Sequence, residues 1–85
     1  MTLDNIRVGQ KCRILGLPGR GVRTKAIRFG ITEGSLITCT GIIPGGPIII
    51  AKNRQEIAIG RGMAQKIIIE LVASVRRNNY GLPRS

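Results

Sequence analysis

Two cysteines, Cys12 and Cys39, four carboxylates, Asp4, Glu33, Glu56 and Glu70, and no histidine make up the groups in this 85-residue chain most suited to covalent, acid–base or metal chemistry. General acid–base catalysis runs most often on histidine or on paired carboxylates, and a nucleophilic thiol needs a base beside it. Here the acids are scattered and no histidine can activate either thiol. The chain reads as a non-enzyme, with no catalytic residues.

Two thiolates without histidine or a third cysteine make an incomplete site for zinc or iron. Free cysteine is among the most buried residue types, so Cys12 and Cys39 are expected as reduced core thiols, with no metal ligands and no tightly bound cofactor. The glycines of "GLPGRG", at 16, 19 and 21, look superficially like a phosphate loop. They lack the lysine spacing and the strand-to-helix unit that such a loop requires, and read as an ordinary connection.

The sharpest charged feature is Arg20, Arg23, Lys25 and Arg28, clustered on that loop and the segment after it. Surface cations on a short helix can simply be solvated. Their functional reading is a docking patch for an acidic surface, where charge raises the association rate and fixes orientation. Leu17, Pro18 and Val22 would supply an apolar rim, so Leu17, Pro18, Arg20, Val22, Arg23, Lys25 and Arg28 are the expected partner-binding residues.

These side chains need a frame, and composition says which kind. Apolar residues are 42% of the chain, nearly all Ile, Val, Leu and Ala, and the aromatics are Phe29 and Tyr80. Branched aliphatics favour strands. Alternation of Lys11, Cys12, Arg13 and Ile14 predicts a strand over 11–17, and "VRTKAIRF", 22–29, predicts two helical turns with Val22, Ala26 and Phe29 on one buried face. Gly30 stands where a helix ends in the left-handed conformation. Further strands are expected at 36–43, 47–51, 56–59 and 67–71. "PGGP", 44–47, forces a reversal between two of them, with its prolines possible guards against edge-to-edge pairing. A tight link falls at Asn53 and Arg54, and "GRGMAQK", 60–66, has room for one helical turn. Residues 74–85 read as a basic, flexible C-terminal tail.

Five short strands and one helix after the first predict a mainly β fold that closes into a small barrel, which would bury every aliphatic face and leave no edge. The start, "MTLDNIRVGQ", has no apolar core of a signal peptide, and no apolar run nears the ~18 residues that span a bilayer. A cytoplasmic protein is the expectation.

In this order of elements, "LDNIRVGQKCRILGL", "KAIRFGITEGSLI", "GGPIII" and "EIAIGRGMAQKIII" resemble the FeoA family, small companions of the FeoB ferrous iron transporter, over about residues 3–72. The same module is similar to the C-terminal domain of some metal-dependent transcriptional repressors. Lys25 and Ala26 stand where the family usually has Arg and Leu, the loop at 44–47 is one residue short with Gly46 where Asp is frequent, and Arg54 replaces a frequent glycine. The resemblance implies a FeoA-like SH3-like barrel domain over 1–73, a role in iron transport with Fe(II) as the transported ion, and protein–protein interaction with the cytosolic GTPase region of a FeoB-like transporter. That partner would bring the chain to the inner face of the membrane, and any nucleotide would be held by the partner.

A net charge of +10 sets a nucleic-acid-binding barrel beside this adaptor. Phosphates need only cations, but single-strand recognition leans on stacking aromatics, and one tyrosine in the tail with one phenylalanine expected in the core argues against it. A regulator fragment is a third reading, although no helix-turn-helix is present to read an operator.

Overall fold

Alternation of branched aliphatics with polar residues resolves into five strands: β1 (Lys11–Gly16), β2 (Leu36–Ile42), β3 (Ile48–Lys52), β4 (Gln55–Ile59) and β5 (Ile68–Val72). In this computed structural model residues 1–72 are described, and the expected basic tail at 74–85 lies outside them. A 3-10 turn at Leu3–Asn5 precedes β1, helix α1 (Arg20–Arg28) follows it, and the single turn α2 (Arg61–Ala64) links β4 to β5. No helix among the described residues is long and apolar enough to cross a membrane.

All strand pairs are antiparallel, in the order β4-β3-β2-β1-β5. This is the expected SH3-like arrangement, but its ladder does not close into a barrel. The reason lies at the N-terminus. The Leu3 N–H donates to the Ile67 carbonyl at 2.9 Å and the Ile69 N–H to the Met1 carbonyl at 2.8 Å, with Thr2 bridged to Ile68. The first three residues thus occupy the far side of the start of β5, and among the described residues β4 has no ladder partner on its outer side.

Cys12 and Ile14 of β1, Ile37 and Cys39 of β2, Ile48 and Ile50 of β3, Ile59 of β4 and Ile69 of β5 all point inward, where Leu3, Ile6, Ile31 and Ile67 join them in a core that takes no aromatic ring from the described residues. "PGGP" makes the reversal expected of it: Gly45 takes φ 71°, and the Gly46 N–H donates to the Ile43 carbonyl at 2.8 Å. It joins β2 to β3, and both are interior strands. Pro44 and Pro47 therefore end strands and guard no edge, contrary to the sequence-based expectation.

Helix α1 begins at Arg20, two residues before the expected start, and buries Val22 and Ala26. It ends in a Schellman motif: the Gly30 N–H bonds to the Ile27 carbonyl at 3.0 Å and the Ile31 N–H to the Ala26 carbonyl at 2.8 Å, with Gly30 at φ 75°. Phe29, expected in the core, is 38% exposed. It caps the helix at φ −87° and ψ 0°, outside helical geometry, so the periodicity that placed it seven residues after Val22 no longer holds there.

Candidate partner-docking groove

On α1, Val22 and Ala26 are one turn apart and anchor the helix to the core. Arg23 and Ile27 fall to one side of that stripe, Lys25 and Arg28 to the other. The structure therefore splits what the sequence presents as a single cationic cluster.

On the first side, Arg23 Nη2 lies 3.4 Å from Glu33 Oε2, beside a small hollow of about 180 Å³ lined by Leu17, Ile27 and Ile31. Both partners of this pair are about half exposed, so it contributes at most about 1 kcal/mol. It does reduce the positive field of Arg23. Leu17 and Val22 are only 3% and 9% exposed. They hold the loop and helix to the sheet and offer a partner little of the apolar area expected of them. Pro18 and Arg20 stay exposed.

On the second side, Lys25 and Arg28 make no ion pair among the described residues. They face β4 and α2 across a groove. One part, about 510 Å³, runs between Arg28 and Phe29 and the strand Gln55–Ala58. The next, about 430 Å³, shares Arg28, Phe29 and Ala58 and adds Lys25, Gly60 and Met63. A third, also about 430 Å³, shares Lys25 and Met63 and reaches Lys66. The shared residues make these parts continuous. The walls carry Lys25, Arg28 and Lys66 against one carboxylate, Glu56. The Lys52 ammonium donates to the Gly30 carbonyl and ties the β3–β4 hairpin to the C-terminal end of α1, where a cation is favourable.

Phe29, Met63, Ala58 and Lys66 are absent from the sequence-based set. A local signal was available only for Phe29, which directly precedes the glycine that ends the helix. The others enter because the topology puts β4 at the rim of the sheet.

The thiols belong to the core. Cys12 and Cys39 are both buried and unpaired. Burial pushes the Cys12 thiol from the ordinary 9.0 up to about 11, with the nearby Cys39 adding to the effect. Burial also raises Cys39, partly offset by a hydrogen bond from the Gly41 backbone. No group of three or more His, Cys, Asp or Glu converges among the described residues. Glu33 and Glu70 are each held by an arginine, Glu70 by Arg13 across the β1–β5 ladder at 3.0 Å.

The model of the FeoA domain matches residues 1–71. The chain belongs to the FeoA domain family. The FeoA fold aligns with a crystal structure of the iron uptake regulatory protein FeoA at 29% identity and TM-score 0.78, covering 85% of this chain and 97% of that one. It also aligns with the solution structure of iron(II) transport protein A from Clostridium thermocellum at 27% identity and TM-score 0.78, over 85% of this chain and 46% of that one. Similarity to the metal-dependent transcriptional regulator MtsR, at 15% identity and TM-score 0.77 over 85% of this chain and 34% of that one, shows that the FeoA fold recurs as part of a larger chain. No curated protein matches the sequence.

Proposed function

We propose that this chain is an accessory protein of ferrous iron uptake that acts by contact, docking onto the cytosolic region of a FeoB-like transporter at the inner face of the membrane. The family match over residues 1–71 carries the role in iron uptake. Docking is supported by the character of the surface: a paired sheet, a flank at Lys25 and Arg28 without an ion pair among the described residues, and an apolar floor at Phe29 and Met63. Interfaces of this kind combine steering charge at the rim with a desolvated apolar centre. Iron(II) is the cargo of the transporter in this reading, and the chain itself turns over no substrate.

The test is capture of the 85-residue chain by the purified cytosolic domain of the transporter, followed by amide-shift mapping. Shifts should concentrate on Lys25, Arg28, Phe29 and 55–66. The folded double variant Lys25→Glu/Arg28→Glu should bind at least about tenfold more weakly, while Arg23→Glu, whose cation is already partnered, should change binding little. No capture at low salt would overturn the docking role. Capture with shifts confined to Arg20 and Arg23 would move the interface to the other flank.

A further inference from the structure

The two rims of the sheet are chemically different. At the start of β5 the N-terminal segment takes up the Ile67 carbonyl and the Ile69 N–H, through bonds with Leu3 and Met1. On β4 nothing does. The β3–β4 hairpin turns at Asn53 and Arg54, with Asn53 at φ 58° and Lys52 opposite Gln55, so Lys52 and Gln55 close a two-residue loop and exchange both ladder bonds. Hydrogen-bonded and non-bonded pairs then alternate along the regular register. Gln55, Ile57 and Ile59 bond to β3, and Glu56 and Ala58 turn their N–H and C=O groups outward. The Thr40 hydroxyl fits this parity: it reaches the Ile49 carbonyl at 3.4 Å, and Ile49, opposite Ala58, must point its own groups toward β2. Among the described residues no hydrogen bond reaches the outward groups of Glu56 or Ala58. No proline or bulge blunts this rim, although natural edges commonly carry such devices.

The outward groups of Glu56 and Ala58 open into the groove whose opposite wall is Lys25, Arg28 and Phe29. We infer that β4 takes an extended acidic segment of a partner protein as a sixth strand, its backbone bonded to Glu56 and Ala58, its carboxylates facing Lys25 and Arg28, and its apolar side chains on Phe29 and Met63. Strand addition draws affinity from main-chain bonds and specificity from the side chains beside them. Charge selects the occupant. A second copy of this chain, itself at +10, would bring its own Lys25 and Arg28 against these. The inference rests on the docking role proposed above and adds the chemistry and conformation of the docked segment.

The experiment uses the full chain and a labelled ten-residue peptide alternating Glu and Val, with the Lys–Val peptide as its counterpart. The Glu–Val peptide should bind, and hydrogen exchange at the Glu56 and Ala58 amides should slow by at least about tenfold in the wild-type protein. The Lys–Val peptide should not bind. Ala58→Pro removes an outward N–H without touching a β3 bond, since proline is tolerated on an edge facing solvent. It should weaken binding at least about tenfold with the thermal midpoint kept, whereas Ala58→Ser should bind within about twofold of the wild type.

Absent binding of the Glu–Val peptide, unprotected Glu56 and Ala58 amides, equal binding of the Lys–Val peptide, or wild-type affinity in the proline variant would each overturn the inference. So would a wild-type dimer that Ala58→Pro dissolves, because a second copy would then hold the edge. Transporter capture that leaves β4 unprotected sinks the added strand and spares the docking role. Peptide addition without transporter capture does the reverse.

Discussion

Cys12 shows what a single side chain inherits from its place in a strand. Lys11 and Arg13 face water while Cys12 faces the core, and the thiolate is disfavoured there because burial raises it from 9.0 to about 11. A raised acid holds its proton in the folded chain where the unfolded chain has lost it. Stability is therefore full below about pH 9 and falls as pH rises toward about 11, by about 2–3 kcal/mol if the whole shift is expressed. Denaturant melts at pH 7.5, 9 and 10.5 should show this decline, and Cys12→Ser should remove most of it. Iodoacetamide at pH 8 should label Cys12 only in denaturant; rapid labelling of the native chain would contradict a buried thiol. Residue types and alternation were enough to predict this site. They were not enough for Phe29, whose exposure depends on the helix ending one residue earlier than the apolar period implies.

Element ends carry the next level of information. Gly30 at φ 75° closes α1, and a Cβ there would meet only the Lys52 ammonium nitrogen at 3.9 Å, an ordinary contact. Gly30→Ala should thus cost about 1 kcal/mol from backbone conformation alone. Gly21 sits in the first turn of α1 with ordinary φ and open space about it. Gly21→Ala should stabilise by up to about 1 kcal/mol. Thermal midpoints moving in opposite directions for these two variants check both claims. The strands, the helix, the "PGGP" reversal and the link at Asn53 were legible because each is written in local residue types. The division of the α1 cations was not, because it depends on Glu33 lying ten residues beyond Arg23 and on the side from which β4 approaches.

At the scale of the whole molecule, +10 on 85 residues ensures that polyanions are attracted in dilute buffer. Among the described residues the groove presents one aromatic ring, Phe29, which is too little for stacking successive bases. Binding to a single-stranded oligonucleotide, followed by anisotropy, should fall steeply with log salt and vanish near about 150 mM. Retained affinity there would favour the nucleic-acid reading. Strand order was the part of the fold that the sequence could not supply. Local pattern shows that a segment is a strand but not whether it lies inside a sheet or at its rim, and closure of the barrel was expected on the ground that edges are costly.

The N-terminal cap on β5 settles part of that cost, and it also fixes how the molecule can associate. Because Met1 and Leu3 already bond along the start of that rim, the longer open edge among the described residues is that of β4. Pairing of two copies through β4 would be head-to-head, and it uses up that edge in both. Fibre formation needs two complementary faces per subunit. With the β5 rim blunted at its start, a sheet this rich in isoleucine can stay receptive at β4 while further growth by strand pairing is restrained.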